Sequence, residues 1–396
     1  MTDDVAGDAK RGGLAQLVAT GLLAGFIGFA SSFAIVLHGL ETVGASPEQA
    51  ASGLLALSLA MGLLGVWFSH RTKMPVSIAW STPGAALLIT IAAPEGGFPE
   101  AVGAFLAAAA MIVVAGLWRP FGRAIAAIPV ALASAMLAGV LLDLCLAPMV
   151  AVGEMPAYAL PIVISWAVAL RYARLYAVPV AVAVTALMIF LATPMPEGAL
   201  AGAWPRPVLV MPEFSLDTII GIGLPLFIVT MASQNVPGLA VLNANGYRPK
   251  VGPIFVATGA ASGVTAAFGG HLVNLAAITA ALCAGPEAHP DPRRRYIAAI
   301  TTGWTYVGFA LFAGFAAAFI AAAPPLLIET VAGLALFGSL GGALLSALAK
   351  EEDRLPAVLT FVTTASGLSF FGVGAAFWGL VAGGLLMLLG RLGRKG

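Results

Sequence analysis

The sequence predicts an all-α polytopic membrane protein, and three observations carry that reading. The 396-residue chain is 60% hydrophobic and only 9% Asp, Glu, Lys or Arg, against about 25% charged residues in soluble globular proteins. Its mean hydropathy is +0.99. Its apolar residues fall in runs close to the ~20 needed to cross a bilayer as a helix, with basic residues gathered in the short connections. So few charges cannot coat a soluble enzyme of this size, and such a composition excludes a disordered chain. A net charge of +1 leaves no global field to attract nucleic acid.

Fourteen segments follow in order. The first seven lie near 13–39, 50–69, 75–93, 98–118, 121–146, 156–170 and 175–193, and the second seven near 215–235, 251–268, 270–284, 296–319, 323–348, 355–369 and 371–390. Segments three, six, ten and thirteen are short or broken. Residues 1–12 form a polar tail holding Asp3, Asp4, Asp8, Lys10 and Arg11. The apolar run behind it is longer than a signal-peptide core and lacks a convincing cleavage site, so it reads as a retained first span. Residues 194–214, with Pro194, Pro196, Pro205, Pro207 and Pro212, read as an outside linker between two halves.

Placing the N-terminus in the cytoplasm and alternating the spans puts 18 of the 19 basic residues on the inside, Arg206 excepted. A missed or invented span would reverse every later loop and destroy this bias. Fourteen spans with both termini cytoplasmic therefore follow from charge rather than from any single hydropathy window.

The halves also echo each other. Ile125-Ala126-Ala127-Ile128-Pro129 at the start of span five recurs as Ile320-Ala321-Ala322-Ala323-Pro324 at the start of span twelve. Gly44-Ala45-Ser46-Pro47 recurs as Gly246-Tyr247-Arg248-Pro249. Span five follows an inside loop and span twelve an outside one, so the two sevens run in opposite senses. Inverted repeats mark secondary transporters, whose sites lie near the midplane at broken helices.

The strongest local signal runs from Met74 to Gly84 (MPVSIAWSTPG). Its first part is extended-prone. Ser81 or Thr82 fits a helix N-cap and Pro83 the first turn, so a half-helix should begin there, its free N–H groups and positive dipole end suited to an anion. The plainer reading is a proline-kinked span. Its counterpart in span ten, Gly269 to Thr279, puts Asn274 near the start of a second half-helix, or else of a short tilted helix with Asn274 bonded to a neighbour. Ser233, Gln234 and Asn235 end span eight, polar groups that are costly inside a membrane unless paired. In the repeat register they face Ser31, Ser32 and Phe33 of span one. Gln234 and Asn235 are candidate polar substrate contacts, and Phe33 and Trp80 candidate apolar ones, although each aromatic could equally serve packing.

Among ionisable groups inside spans, His38, Asp143, His271 and Glu329 stand out. His271 and Glu329 are candidates for proton coupling, with interfacial packing as the plain alternative. Cys145 and Cys283 read as small buried hydrophobes. There is no P-loop, HExxH, GxSxG or CxxC, so no enzyme activity, metal or cofactor is expected.

Val76 to Leu87 (VSIAWSTPGAAL), Met231 to Pro249 (MASQNVPGLAVLNANGYRP) and Val273 to Ala280 (VNLAAITA) resemble the benzoate:proton symporter family of bacteria, over nearly the whole chain. The resemblance implies an inner-membrane protein with the seven-plus-seven inverted-repeat fold shared with uracil, nucleobase and sulfate-type transporters. It implies a core domain from residues 13–118 and 215–319, a gate domain from 119–193 and 320–391, and an elevator motion of one against the other. The expected cargo is a small aromatic carboxylate with a proton, held between half-helices by Ser81, Thr82, Gly84 and Asn274, with Ser233, Gln234 and Asn235 completing the polar shell; the alternatives are another weak acid or a nucleobase carried by the same fold, or an uncoupled anion channel. A homodimer in the lipid bilayer is implied by the same analogy. In related nucleobase carriers acidic residues on spans eight and ten hold the substrate. Here Gln234 or Asn235, and Asn274, stand in those regions, which suits a carboxylate cargo and leaves no acid in the core to carry the proton.

Overall fold

The computed structural model describes residues 2–118, 129–192, 204–286, 288–321, 323–368, 370 and 375–393. Several readings above lie outside these residues: Ile125–Ile128 and Ala322 of the repeat, the prolines Pro194 and Pro196, and the basic residues Arg119, Arg123, Arg394 and Lys395.

The described chain is mostly helical. Helices α1 (Thr2–Ala30) and α2 (Phe33–Thr42) divide what the sequence presents as one span. The break falls at Ser31–Ser32, where the Ser32 hydroxyl donates to the Gly28 carbonyl (3.2 Å) and offers the backbone a local partner. α3 (Pro47–Thr72) opens with a capping box: Ser46 Oγ accepts from the Gln49 N–H and Gln49 Oε1 accepts from the Ser46 N–H. Strand β1 (Ile78–Trp80) leads into the short α4 (Thr82–Ile89), followed by α5 (Phe98–Leu117), α6 (Val130–Glu154), α7 (Pro156–Tyr172) and α8 (Ala177–Ala192).

The second half opens with α9 (Leu216–Ala244), then α10 (Val251–Ala267), strand β2 (Val273–Leu275) and the short α11 (Ile278–Ala284). α12 (Tyr296–Ala310), α13 (Ala313–Ala321), α14 (Pro325–Ala347), α15 (Arg354–Ala365) and α16 (Ala375–Gly393) complete it. Among the described residues, six helical stretches are long and apolar enough to cross a membrane: Gly13–Thr42, Pro47–Thr72, Phe98–Leu117, Val130–Glu154, Leu216–Ala244 and Pro325–Ala347.

Three elements differ from expectation. α9 continues past residue 235 because a π-turn over Met231–Asn235, in which the Val236 N–H reaches the Met231 carbonyl, precedes Pro237 and absorbs its missing donor. The expected span at 296–319 is interrupted at Leu311–Phe312. Asn274 sits in the middle of β2 rather than at a helix start, because residues 273–275 pair with β1 and the helix begins only at Ile278.

Helices cross where small residues let backbones approach. A Cβ placed on Gly62 of α3 would lie 2.6 Å from the Gly303 carbonyl oxygen of α12, and the reverse holds at the same distance. Gly116 of α5 and Gly252 of the α10 first turn are related in the same way at 2.9 Å. In lipid such close packing replaces the hydrophobic effect as the force between helices. α6 packs along α14 and α15, α3 along α12, and α5 along α10.

Local geometry recurs between the halves. Gly44 (φ 102°) and Gly246 (φ 84°) both turn the chain at a helix end. In each case the following N–H reaches five residues back, Ala45 to Leu40 (3.0 Å) and Tyr247 to Leu242 (2.9 Å). Pro129 (φ −57°, ψ 124°) and Pro324 (φ −60°, ψ 122°) enter α6 and α14 with the same backbone.

Candidate functional site

The two strands meet antiparallel, pairing Ile78 with Leu275, Ala79 with Asn274 and Trp80 with Val273. The ladder extends at both ends, with the Ser81 N–H bonded to the Leu272 carbonyl and the Ala276 N–H to the Ser77 carbonyl, each at 3.0 Å. Non-helical backbone buried in an apolar chain must have its polar groups satisfied. Here the strands satisfy each other, and side chains do the rest. Ser262 Oγ accepts from the Val273 N–H (2.9 Å), and Ser69 Oγ donates to the Val76 carbonyl (3.0 Å).

Each strand runs into a short helix. Ser81 caps α4, its hydroxyl accepting from the Gly84 N–H (3.1 Å) and sharing a 2.7 Å hydrogen bond with the Thr230 hydroxyl of α9. Pro83 occupies the first turn, where it forfeits no hydrogen bond. Asn235 on the π-turn of α9 accepts from the Leu275 N–H (3.0 Å) and so ties that helix to β2. Asn274 donates to the Leu275 carbonyl (2.9 Å), while its own carbonyl oxygen is buried without a partner. The His271 ring lies fully buried against the Ser81 backbone, with neither nitrogen closing a well-formed hydrogen bond. A buried, unsatisfied amide oxygen costs free energy, so these residues hold unspent hydrogen-bonding capacity.

An aromatic cluster adjoins this crossing. Trp80 is 2% exposed, and its indole N–H donates to Ser32 Oγ (2.8 Å) at the α1–α2 break. Phe29 stacks on Phe33 at 5.6 Å and contacts Trp80 at 5.4 Å and Phe309 at 4.8 Å.

Trp80, Ser81, Asn235 and Asn274 are thus brought together, with Gly84 joined through Ser81 and Phe33 through Phe29. Thr82, Ser233 and Gln234 are half-buried beside them, and among the described residues no hydrogen bond ties Ser233 or Gln234 into the network. Glu329 lies elsewhere: its carboxylate is 3.6 Å from His38 Nε2, at the contact of α14 with α2. Thr230, Phe29 and Phe309 join the site without having been singled out in the sequence. Phe29 could have been found, since it precedes Phe33 by one helical turn. Phe309, 280 positions further on, leaves no such local trace.

A cavity of about 1440 Å³ opens between α9, the last turn of α5 and the first turns of α6 and α10. Met231 and Ala232 line it at the π-turn, Ser134 and Lys250 supply its polar edge, and Ser346 marks where it touches the end of α14.

The benzoate membrane transport protein family model matches residues 13–389. An inner membrane protein of Escherichia coli, YdcO, is 40% identical over 366 residues, covering 92% of this chain and 93% of that protein. A benzoate membrane transport protein of Acinetobacter baylyi is 34% identical over 366 residues, covering 92% of each. Among solved structures, the murine Solute Carrier 26 family member A9 anion transporter, captured in the inward-facing state, superposes with a TM-score of 0.63 at 13% identity over 96% of this chain and 68% of that one. The transmembrane domain of a cyanobacterial bicarbonate transporter, BicA, gives 0.53 at 12% identity over 95% and 97%. At such identities the likeness is one of fold.

Proposed function

The chain belongs to the benzoate membrane transport protein family, and from that premise we propose that it carries benzoate or a similar small aromatic carboxylate into the cell together with a proton. The observation that carries this reading is the strand crossing. Two short strands, each leading into a short helix, meet against the π-turn of α9, with an Asn274 amide that spends one of its two N–H donors on the Leu275 carbonyl and open polar side chains at Thr82, Ser233 and Gln234. The carboxylate would face Thr82, Gln234 and the first turn of α4, with Phe33 against the ring. Trp80, Ser81, Gly84 and Asn235 hold the strands that set this geometry, and Asn274 offers its free amide N–H beside them. A helix end contributes only about 0.3–2 kcal/mol toward an anion, so side-chain hydrogen bonds must supply much of the remainder.

The same proposal places the protein in a bacterial inner membrane as fourteen spans in two inverted sevens, with both termini cytoplasmic. The matched turns at Gly44 and Gly246, the matched entries at Pro129 and Pro324, and the pairing of β1 with β2 support the inversion. Transport follows an elevator motion of a core (13–118 and 215–319) against a gate (119–193 and 320–391). On that topology the cavity beside α9 opens to the cytoplasm.

Uptake of labelled benzoate into proteoliposomes, with and without an inward proton gradient, tests the reading. Accumulation should require the gradient. Equal uptake without it would remove proton coupling and leave an uncoupled pathway, and stronger competition by uracil than by unlabelled benzoate would remove the substrate assignment.

A further inference from the structure

α2 and α14 belong to the two parts that the elevator reading moves past each other, and they meet through an imidazole and a carboxylate. His38 Nε2 stands 3.6 Å from Glu329 Oε1, with the two side chains 27% and 32% exposed. Glu41 lies one helical turn beyond His38 on α2, and its Oε1 is buried without a hydrogen-bond partner. The surroundings are otherwise nearly without charge. α4 and α13, which pack on α2, carry no ionisable residue, and α3 brings Glu48 at its first turn, with His70 and Arg71 at its far end. α1 carries its charges at its remote N-terminus. On the α14 side, α6 brings Asp143, which is exposed, and Glu154 at its end, α7 offers Arg171 in its last turn, and α8 offers nothing ionisable.

Position gives this contact its meaning. Glu329 is in the second turn of α14, and the cavity touches the same helix at Ser346. Seventeen residues of helix separate them, about 25 Å. One end of the core–gate seam is therefore open, while the other is held shut through an imidazole and a carboxylate. Charge bookkeeping then links the seam to protons. With both glutamates ionised and His38 protonated, the trio is net negative in apolar surroundings, and one further proton makes it neutral. A cluster that must separate for the opposite end to open is most easily parted when it carries no net charge, because separating or exposing unpaired charges against apolar helices is costly.

We propose that His38 and Glu329, with Glu41 beside them, form the proton-linked latch of this carrier: the pair holds the seam between α2 and α14 closed, and proton binding to the cluster accompanies its opening. The proposal rests on the proton-coupled reading given above, and it supplies the titrating group that the acid-free strand crossing lacks.

The test separates the two claims. Wild-type proteoliposomes come first, since loss of gradient dependence there overturns the proton-coupled reading itself. With that dependence established, Glu329→Gln, which imitates the protonated acid, and His38→Gln are compared in gradient-driven uptake and in benzoate:benzoate exchange without a gradient. The expected result is a fall of tenfold or more in accumulation and a flattened pH profile, while exchange persists. Accumulation within twofold of wild type with an unchanged pH profile, or equal loss of accumulation and exchange in protein that runs as a single species in size-exclusion chromatography, would overturn the latch. Where Glu329→Gln does not fold, Glu329→Asp serves in its place, with a shifted pH profile expected and an unshifted one counting against the proposal. A His38→Cys/Glu329→Cys pair in a Cys145→Ala/Cys283→Ala background adds a direct reading. A bifunctional methanethiosulfonate bridging the two thiols should stop uptake, and reduction should restore it, whereas full uptake by cross-linked protein overturns the proposal.

Discussion

Asn235 does its work through one oxygen. That oxygen accepts the Leu275 N–H, a donor inside the protein with no water to turn to. Replacing Asn235 with Ala leaves this donor unpaired, at a cost of about 1–3 kcal/mol, so thermal unfolding in detergent should shift downward. Asn274 differs, because its side chain serves only the neighbouring Leu275 carbonyl, through one amide N–H, and keeps the other N–H to donate. Gln234 sits half-buried on the π-turn itself, with no hydrogen bond into the network among the described residues. Gln234→Ala should therefore leave folding nearly intact, Asn274→Ala should lose only its bond to the Leu275 carbonyl, and both should raise the benzoate half-saturation concentration about tenfold or more, the scale of a hydrogen bond to a charged group. Unchanged affinity in both variants would discard the site. Residue type alone made Asn235 and Asn274 look alike in the sequence. Only the pairing of β1 with β2, across some 195 positions, separates the one that holds the scaffold from the one with capacity to spare.

Elements read well where local chemistry writes their boundaries. Ser81-Thr82-Pro83 announces α4, which begins there, while the capping box at Ser46 and Gln49 starts α3 at Pro47, ahead of the expected 50. The extent of α9 was not legible, because a π-turn leaves no signature in composition and Pro237 looks like a terminator. The start of α11 was not legible either, since the residues ahead of it are extended only by virtue of their partner strand. Where helices cross, small residues decide. Leu at Gly62 or Gly303 would drive a side chain into backbone carbonyl oxygen, which cannot move aside as a flexible side chain can. Either substitution should separate α3 from α12 and abolish recovery of monodisperse protein, whereas Gly308→Ala, on the same α12 but with open space at its Cβ position, should be tolerated. Purified yield and size-exclusion profiles of the three variants check this.

At the scale of the whole molecule the scarcity of charge did more than set the class. It made the basic residues an argument for topology and the few acids inside spans candidates, and His38 and Glu329 meet across the fold although neither sequence neighbourhood points to the other. If the cavity faces the cytoplasm, Cys introduced at Ser134 or Ser346 in a Cys145→Ala/Cys283→Ala background should react with a membrane-impermeant maleimide in inside-out vesicles and stay unlabelled in right-side-out ones. Labelling from the opposite side alone would reverse the assigned orientation.

The indole of Trp80 is one of seven in the chain, and it sits in a setting unlike open solvent: 2% exposed, packed against Phe29, with its N–H held by Ser32. Indoles in such pockets emit at short wavelengths, and their emission reddens when water reaches the ring. Because Trp80 joins β1 to the α1–α2 break, a rearrangement that shifts β1 against that break changes the surroundings of its ring. The protein thus carries its own optical gauge: a variant keeping Trp80 as its sole tryptophan would report, by the colour of its light, whether added benzoate disturbs the crossing.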